Sequence, residues 1–371
     1  MTTTDFNELY KSFGYRKFKM SKFEPYDLYA DYRDFLTSRE LITFTDLDGT
    51  LLAMKPDITL SIIKNNTGEE KVYYNENVYR ARNHHYREIQ QVGVECVGKV
   101  DFYCEAEILA MAAKSLALIS DRYVLRVSDV GFLDQAMAAL GLSPSTEAKT
   151  AELFGAKNTA GLKALENAGE ITAEAEKALA ALMEFYAPFE QGIGMIEGMD
   201  VPGAPEFAAK LRQEAEVLRA FGVLDSIFLD FSLVNSMDYY NGIVFQGAVP
   251  QIPYELLFGG RYDRLPRKMG KDMDAIGFAI YLDEIDNYIT PPVKYDVDYL
   301  LVYDGEDAGN AVKVAEAVRA LTSRGYQARA VRRDMAESMQ QRPRSRFTVD
   351  LAKDGFDPES LRENTRGGAA E

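Results

Sequence analysis

The segment VYRARNHHYREIQQVGVECVG, at residues 78–98, indicates the architecture of the chain more clearly than any other stretch. Two runs with the composition of β-strands meet here, and they predict strands at Val72–Arg80 and Glu88–Val97. Only a short polar connection separates them. We therefore expect the two strands to lie in a largely antiparallel sheet.

The sequence on either side of this segment extends the sheet and adds helices to it. EAEILAMAAKSLALI, at residues 105–119, has an apolar stripe and predicts a strong helix. Further strands are predicted at Tyr123–Val130, Ser226–Leu233, Ile243–Ala248, Leu256–Gly260 and Ala275–Tyr281. These elements predict an α+β fold, with a mixed, mainly antiparallel sheet and helices packed on it.

A change of composition marks an insertion into this fold. Between about residues 132 and 221, Ala, Glu, Lys and Leu dominate, and strand patterns are missing. The segment therefore predicts a helical insertion, with helix N-caps at Ser145 or Thr146 and at Thr172.

The rest of the chain divides at Pro291-Pro292, a typical boundary signal. Residues 1–290 are predicted to form the main domain, and residues 293–350 a small α/β unit with one β-α-β motif. The final segment, residues 351–371, has the composition of a flexible tail.

The bulk composition excludes several classes of protein. Among 371 residues, 47% are hydrophobic and 27% charged, as in ordinary globular proteins, and the net charge of −16 disfavours binding to nucleic acid. Cys96 and Cys104 are too few for a disulfide framework or a cysteine-based zinc site. With no apolar run near the ~20 residues of a membrane helix and no secretory signal, the sequence predicts a cytoplasmic protein that does not enter membranes.

The stretch FTDLDGTLL, at residues 44–52, has two interpretations. Its DxDGT pattern is that of phosphatases in which an aspartate, here Asp46, attacks phosphate. However, strand-like runs flank Asp48-Gly49 on both sides, and Asp-Gly between two strands is a strong signal for a tight hairpin turn. The alternating run before Asp46 also lacks the continuous apolar pattern of a buried parallel strand. We therefore expect a hairpin here.

Four separated stretches resemble the histidyl-tRNA synthetase family in their order and spacing. They are KPDIT (55–59), the segment at 78–98, NSMDYYNGIVFQG (235–247), and GGRYDRL (259–265) followed by AIGFAIYLDEI (275–285). The second is similar to motif 2 of class II synthetases and the last to motif 3. The resemblance covers about residues 6–285 and implies a class II synthetase-like domain.

The resemblance also implies a pocket for histidine. Carboxylates can hold the ligand's ammonium or ring N–H, a glutamine can bond its polar groups, an arginine can pair with its carboxylate, and tyrosines can wall its ring. The residues that match the family's pocket are Asp57, Thr59, Arg80, Gln91, Glu95, Asp238, Tyr239 and Tyr240.

Several departures from the family affect the ATP side of this site. Adenylate formation needs positive groups that neutralise charge developing on the α-phosphate. Asn235 and Glu284 stand where the family has arginines, and Tyr281 replaces a glycine that gives ATP room. Arg82 replaces an expected acid in a shortened motif 2 loop. We therefore expect no catalytic residues, no cofactor and no metal site.

A histidine pocket without activation chemistry resembles the branch of this family that regulates ATP phosphoribosyltransferase. That resemblance implies a regulatory subunit that activates the short catalytic subunit and binds histidine as a feedback effector. It also implies self-association as a dimer within a hetero-octamer. The alternative is an active histidyl-tRNA synthetase or a related histidine-activating ligase.

The C-terminal unit resembles only the opening of the synthetases' anticodon-binding domain. Seven arginines lie between Arg324 and Arg346. We interpret them as a solvated face, with an RNA-binding remnant or a partner surface as alternatives.

Overall fold

The computed structural model describes residues 3–36, 40–66, 68–82, 84–233, 239–289, 295–305, 308–339 and 341–353, apart from the side chains of residues 3, 284, 286 and 287. The chain forms two compact units, Met1–Thr290 and Pro291–Glu371. None of the helices in the described ranges is long and apolar enough to cross a membrane.

The first unit contains a large sheet, a small sheet and the helices that cover them. Its strands are β1 (Arg16–Lys17), β2 (Phe23–Pro25), β3 (Thr43–Thr45), β4 (Leu51–Met54), β5 (Glu70–Arg82), β6 (His85–Gly98), β7 (Val124–Asp129), β8 (Tyr186–Pro188), β9 (Ile227–Asp230), β10 (Ile243–Ala248), β11 (Leu257–Arg261) and β12 (Asp274–Tyr281). Its helices are α1 (Thr3–Ser12), α2 (Tyr26–Asp31), α3 (Thr59–Asn65), α4 (Phe102–Ile119), α5 (Val130–Ala139), α6 (Pro144–Gly155), α7 (Thr159–Asn167), α8 (Ala173–Met183), α9 (Phe189–Glu197), α10 (Ala204–Ala220), α11 (Arg264–Lys268) and α12 (Leu282–Tyr288).

The large sheet has the order β1-β5-β6-β12-β11-β10-β7-β9-β8. Only β1/β5 and β7/β9 pair in parallel, and the other neighbours are antiparallel. β5 and β6 form a long hairpin, in which Arg80 lies opposite Arg87. The prediction of an α+β fold with a mixed, mainly antiparallel sheet is confirmed.

The main hydrophobic core lies on one face of this sheet, against α4. Successive side chains of a strand point to opposite faces, so Val92, Val94 and Cys96 of β6 pack in this core. Glu95 consequently faces the opposite side of the sheet. The side chain of Asp101 fixes the start of α4, because it accepts a hydrogen bond from the Cys104 N–H at 2.9 Å.

The stretch around Asp46 forms the predicted hairpin. β3 and β4 are antiparallel neighbours in the small sheet, which has the order β2-β4-β3. Between them, the Asp46 N–H donates to Thr50 O at 2.8 Å, and the Gly49 N–H donates to Asp46 O at 3.0 Å. Gly49 has φ +89°, which favours glycine at the turn. β4 then leads directly into residues 55–59.

The insertion is helical, as predicted, but it also contains a strand. The three-residue strand β8 pairs antiparallel with β9 at the edge of the large sheet. One predicted cap is also wrong. Ser143 caps α6, because Pro144 occupies the first helical position and Ser145 and Thr146 lie inside the helix. Thr172 caps α8 as predicted.

The second unit has one more strand than the predicted β-α-β motif. Its elements are β13 (Val297–Tyr303), α13 (Ala308–Thr322), β14 (Ala328–Arg332), α14 (Arg333–Ser338) and β15 (Ser345–Asp350). The sheet order is β14-β13-β15, and both pairs are parallel. The extra strand β15 was missed because it lies in the arginine-rich stretch, whose charges hide the alternation of Phe347 and Val349.

Candidate functional site

Glu95 lies at the centre of the candidate site. It is 2% exposed on β6, and its carboxylate accepts hydrogen bonds from Thr59 Oγ1 at 3.0 Å and from the Tyr262 hydroxyl at 2.5 Å. Gly277 lies opposite it on β12, and a Cβ atom there would be 1.8 Å from Glu95 Oε2. The glycine therefore provides the room that the carboxylate occupies. Burial raises the pKa of Glu95 to about 8, although both hydrogen bonds act in the other direction.

Asp57 and Arg80 form a second charged group beside Glu95. Asp57 Oδ1 accepts a hydrogen bond from the Leu60 N–H at 2.9 Å, which holds the carboxylate at the start of α3. Its other oxygen lies 3.6 Å from Arg80 Nη2. Burial raises the pKa of Asp57, and the nearby guanidinium opposes that change. The site thus holds two buried carboxylates beside one arginine.

Two hydrogen bonds hold the guanidinium of Arg80. Its Nε donates to Pro56 O at 2.7 Å, and its Nη1 donates to the Tyr281 hydroxyl at 3.1 Å. Tyr281 ends β12, and its ring packs edge-on against Phe258 with centroids 5.7 Å apart. The tyrosine thus stands at the position where the resemblance implies a glycine that gives ATP room.

Aromatic rings form another part of the cavity wall. Tyr239 and Tyr240 pack edge-to-face with centroids 4.8 Å apart. The Tyr239 ring also contacts Tyr262 at 5.5 Å and Phe35 at 5.9 Å. These rings offer an apolar surface that ends in hydroxyl groups, which suits a small aromatic ligand with polar ring atoms.

All these side chains line one cavity of about 1210 Å³. The predicted site residues that the structure brings together there are Asp57, Thr59, Arg80, Gln91, Glu95, Tyr239 and Tyr240. Asp238 and Asn235 lie outside the described residues, as does the Glu284 side chain. The far side of the cavity is lined by α5 and α6 of the insertion, including Asp134 and Glu147.

The site contains residues that the sequence analysis did not assign to it. Tyr74 and Tyr262 line the cavity, and Tyr262 donates directly to Glu95. The GGRYDRL stretch contains Tyr262, so the signal was present in the sequence. Tyr281 was noted only as a departure from the family, whereas the structure makes it a partner of Arg80.

Comparisons with known proteins agree with this architecture. A family model described as "Histidyl-tRNA synthetase" matches residues 2–285. The chain is 29% identical to an ATP phosphoribosyltransferase regulatory subunit of Desulfitobacterium hafniense over 248 residues, 65% of this chain and 65% of that protein. That alignment thus spans slightly less than two thirds of the relative. Further relatives with the same name are 26–28% identical over 73–86% of their lengths.

Two solved structures have the same fold. An ATP phosphoribosyltransferase regulatory subunit/histidyl-tRNA synthetase from Bacillus halodurans C has a TM-score of 0.76 at 20% identity, covering 94% of this chain and 92% of that one. A chain in an ATP phosphoribosyl transferase (HisG:HisZ) complex from Thermotoga maritima has a TM-score of 0.59 at 18% identity, covering 75% of this chain and 95% of that one. The predicted resemblance to regulatory subunits of ATP phosphoribosyltransferase is confirmed by the relatives' names.

Proposed function

This chain belongs to the histidyl-tRNA synthetase family, and from that premise we propose that it is a non-catalytic regulatory subunit of ATP phosphoribosyltransferase that binds histidine. The observation that carries the proposal is the lining of the cavity. Glu95, Asp57 and Arg80 line what we assign as its amino-acid side, and Tyr281, which replaces a glycine of the family, lines what we assign as its nucleotide side.

The amino-acid side matches the functional groups of histidine. The ligand's α-ammonium can pair with Asp57 and its α-carboxylate with Arg80. The imidazole has one N–H donor and one acceptor when neutral, which suits the carboxylate of Glu95 together with hydroxyl groups such as that of Tyr262. The rings of Tyr239 and Tyr240 can then cover the imidazole faces.

The nucleotide side argues against histidine activation. Transition-state charge on a triphosphate is stabilised by cations that are free to contact it. Arg80 already donates to Pro56 O and to the Tyr281 hydroxyl, and it also faces Asp57. The remaining cavity wall from the insertion adds carboxylates such as Asp134 and Glu147. Arg264 also lines the cavity. Because Tyr281 stands where the family has a glycine that gives ATP room, an active synthetase is the weaker candidate.

The partner in this proposal is a short-form ATP phosphoribosyltransferase catalytic subunit. The names of the curated relatives support this partner, as does the complex from Thermotoga maritima whose chain has the same fold. Feedback inhibition follows if histidine binds one state of the assembly more tightly than the other, because the ligand then shifts the population toward that state. A dimer within a hetero-octamer and a cytoplasmic location remain predictions.

The test is reconstitution with the catalytic subunit and measurement of transferase activity against histidine concentration. In this assay, Glu95→Ala is expected to keep activation of the catalytic subunit but to raise the histidine concentration for half-inhibition at least about tenfold, since it removes the buried carboxyl group that contacts the ligand. Glu88→Ala is the matched control. Glu88 lies on the same strand but is exposed, bonded to Tyr79 at 3.0 Å, and its loss should leave inhibition unchanged.

Two results would contradict the proposal. One is unchanged feedback inhibition in the Glu95→Ala complex, which would place the effector elsewhere. The other is histidine-dependent ATP–pyrophosphate exchange by the purified chain, which would make it an activating enzyme.

A further inference from the structure

Tyr281 connects the nucleotide side of the cavity to the amino-acid side. It is the Cα partner of Gln91 in the neighbouring strand, and its N–H donates to Leu256 O at 3.0 Å, so its backbone is fixed in the sheet. The Phe258 ring packs against its own ring. The phenol oxygen is therefore presented at a defined position, where it accepts a hydrogen bond from Arg80 Nη1 at 3.1 Å.

Arg80 and Asp57 lie side by side in the cavity wall. Nη2 and Oδ2 are 3.6 Å apart, within ion-pair range but longer than an N–H···O hydrogen bond. Both groups are largely buried, so each gains from an additional charged partner. A ligand whose ammonium and carboxylate are joined by one carbon can contact both groups at once.

From this geometry we infer that Tyr281 is a positioning residue, which turns Arg80 toward the α-carboxylate of the ligand and makes that carboxylate a requirement for binding. The inference rests on the proposed histidine site and adds a specificity rule to it. Pro56 O and the Tyr281 hydroxyl accept hydrogen bonds from Nε and Nη1, and Nη2 lies near Asp57. Without the phenol, Arg80 loses one of the contacts that orient it.

This specificity rule predicts that binding depends on the ligand's carboxylate, so two ligands with the same ring but different groups at that position should bind differently. L-Histidinol keeps the imidazole and the ammonium of histidine but has a hydroxymethyl group in place of the carboxylate. In the proposed site, Glu95 and Tyr262 serve the ring and Asp57 serves the ammonium, so these contacts are common to both ligands. If Arg80 loses its orientation, the affinity for histidine should fall, whereas the affinity for histidinol should not change.

The experiment is calorimetric titration of the full-length chain with L-histidine and with L-histidinol. Tyr281→Phe keeps the ring and its packing on Phe258 but removes the oxygen that Arg80 contacts. We expect about a tenfold loss of histidine affinity, as for a hydrogen bond to a charged group, and less than a twofold change for histidinol. Tyr79→Phe is the control, because its exposed hydroxyl contacts Glu88 outside the cavity.

Each outcome bears on a different statement. Equal losses for both ligands, or no loss for histidine, would overturn the positioning role of Tyr281. Wild-type protein that bound neither ligand would instead contradict the histidine site itself. A thermal unfolding curve of Tyr281→Phe that matches the wild type would exclude misfolding as the source of weaker binding.

Discussion

Glu95 shows how one buried carboxyl group can affect both ligand binding and stability. The side chain is enclosed by Thr59, Tyr262 and the backbone at Gly277, and its pKa is raised to about 8, chiefly by burial. Near neutral pH the folded chain therefore holds a proton on Glu95 that the unfolded chain releases. A cationic ligand group that pairs with the carboxylate must displace that proton.

This protonation predicts a particular dependence of stability on pH. Below the ordinary glutamate pKa of 4.5, both states are protonated, whereas between there and about pH 8 only the folded state keeps the proton. The contribution of Glu95 to the free energy of unfolding therefore falls as pH rises through this window. Glu95→Gln removes the titration, so the melting temperature of wild type should fall relative to this variant from pH 5 to pH 8.

Thermal unfolding at several pH values in this range measures the effect. Glu88→Gln serves as the control, because Glu88 is exposed and hydrogen-bonded to Tyr79. Parallel pH profiles for wild type and Glu95→Gln would show that Glu95 does not titrate in this window.

Single residues of the site differ in how far the sequence can predict them. Glu95 and Arg80 belong to a stretch that resembles a family motif, so the resemblance could assign both residues to the site. Tyr281 departs from the family, and its contact with Arg80 depends on pairing between β6 and β12, which no local pattern specifies. Tyr262 follows β11, and its hydrogen bond to Glu95 depends on tertiary contact with β6, which its own stretch of sequence does not specify.

Among the elements, α4 is the main helix packed on the sheet. Its N-cap allows the contribution of a single cap to the free energy of unfolding to be measured. The Asp101 carboxylate is exposed and bonds the Cys104 N–H at 2.9 Å. Asp101→Ala should therefore lower the free energy of unfolding by about 1 kcal/mol, the usual cost of losing such a cap. Denaturant unfolding measures it, with Asp121→Ala, beyond the other end of α4, as the control. Equal stability of the two variants would contradict the role of the cap.

Element boundaries were predicted well where local chemistry determines them. The Asp48-Gly49 turn and the Thr172 cap follow from backbone preferences within a few residues. β8 could not be predicted in this way. It has three residues, and its pairing with β9 comes from tertiary contact between segments distant in sequence.

At the scale of the whole molecule, the small sheet has an apolar outer face. Phe23 and Phe44 are 44% and 39% exposed, and their rings pack edge-to-face at 5.3 Å. Leu52 and Met54 lie on the same face, because they pair directly with Phe44 and Phe23. An apolar patch of this kind on a sheet supports the proposed self-association.

The dimer proposal predicts that charge on this face weakens self-association. Phe44→Glu should shift the chain toward monomer in size-exclusion chromatography with light scattering, because burying the carboxylate between two copies is costly. Thr43→Glu introduces the same charge on the opposite face of β3 and should leave the mass unchanged. Equal masses for the two variants would exclude this face as the dimer contact.

In the arginine-rich C-terminal unit, arginines pair with aspartates, which a count of arginines in the sequence does not reveal. Arg333 pairs with Asp304 at 2.6 Å and with Asp350 at 2.7 Å, and Arg344 pairs with Asp296 at 3.0 Å. Much of the positive charge is therefore neutralised within the unit itself. This pairing supports the interpretation as a solvated face over an RNA-binding remnant, and it depends on aspartates far away in the sequence.

The position of the insertion has a consequence for the order of folding. β5 and β6 are joined by a tight connection and can pair early, because closing a short loop costs little entropy. β7 and β9 are neighbours in the same sheet, yet the whole insertion lies between them in sequence. Closing that edge of the sheet therefore costs more loop entropy than forming the β5/β6 hairpin. During synthesis, β5 and β6 are also both available to pair before β9 has been made.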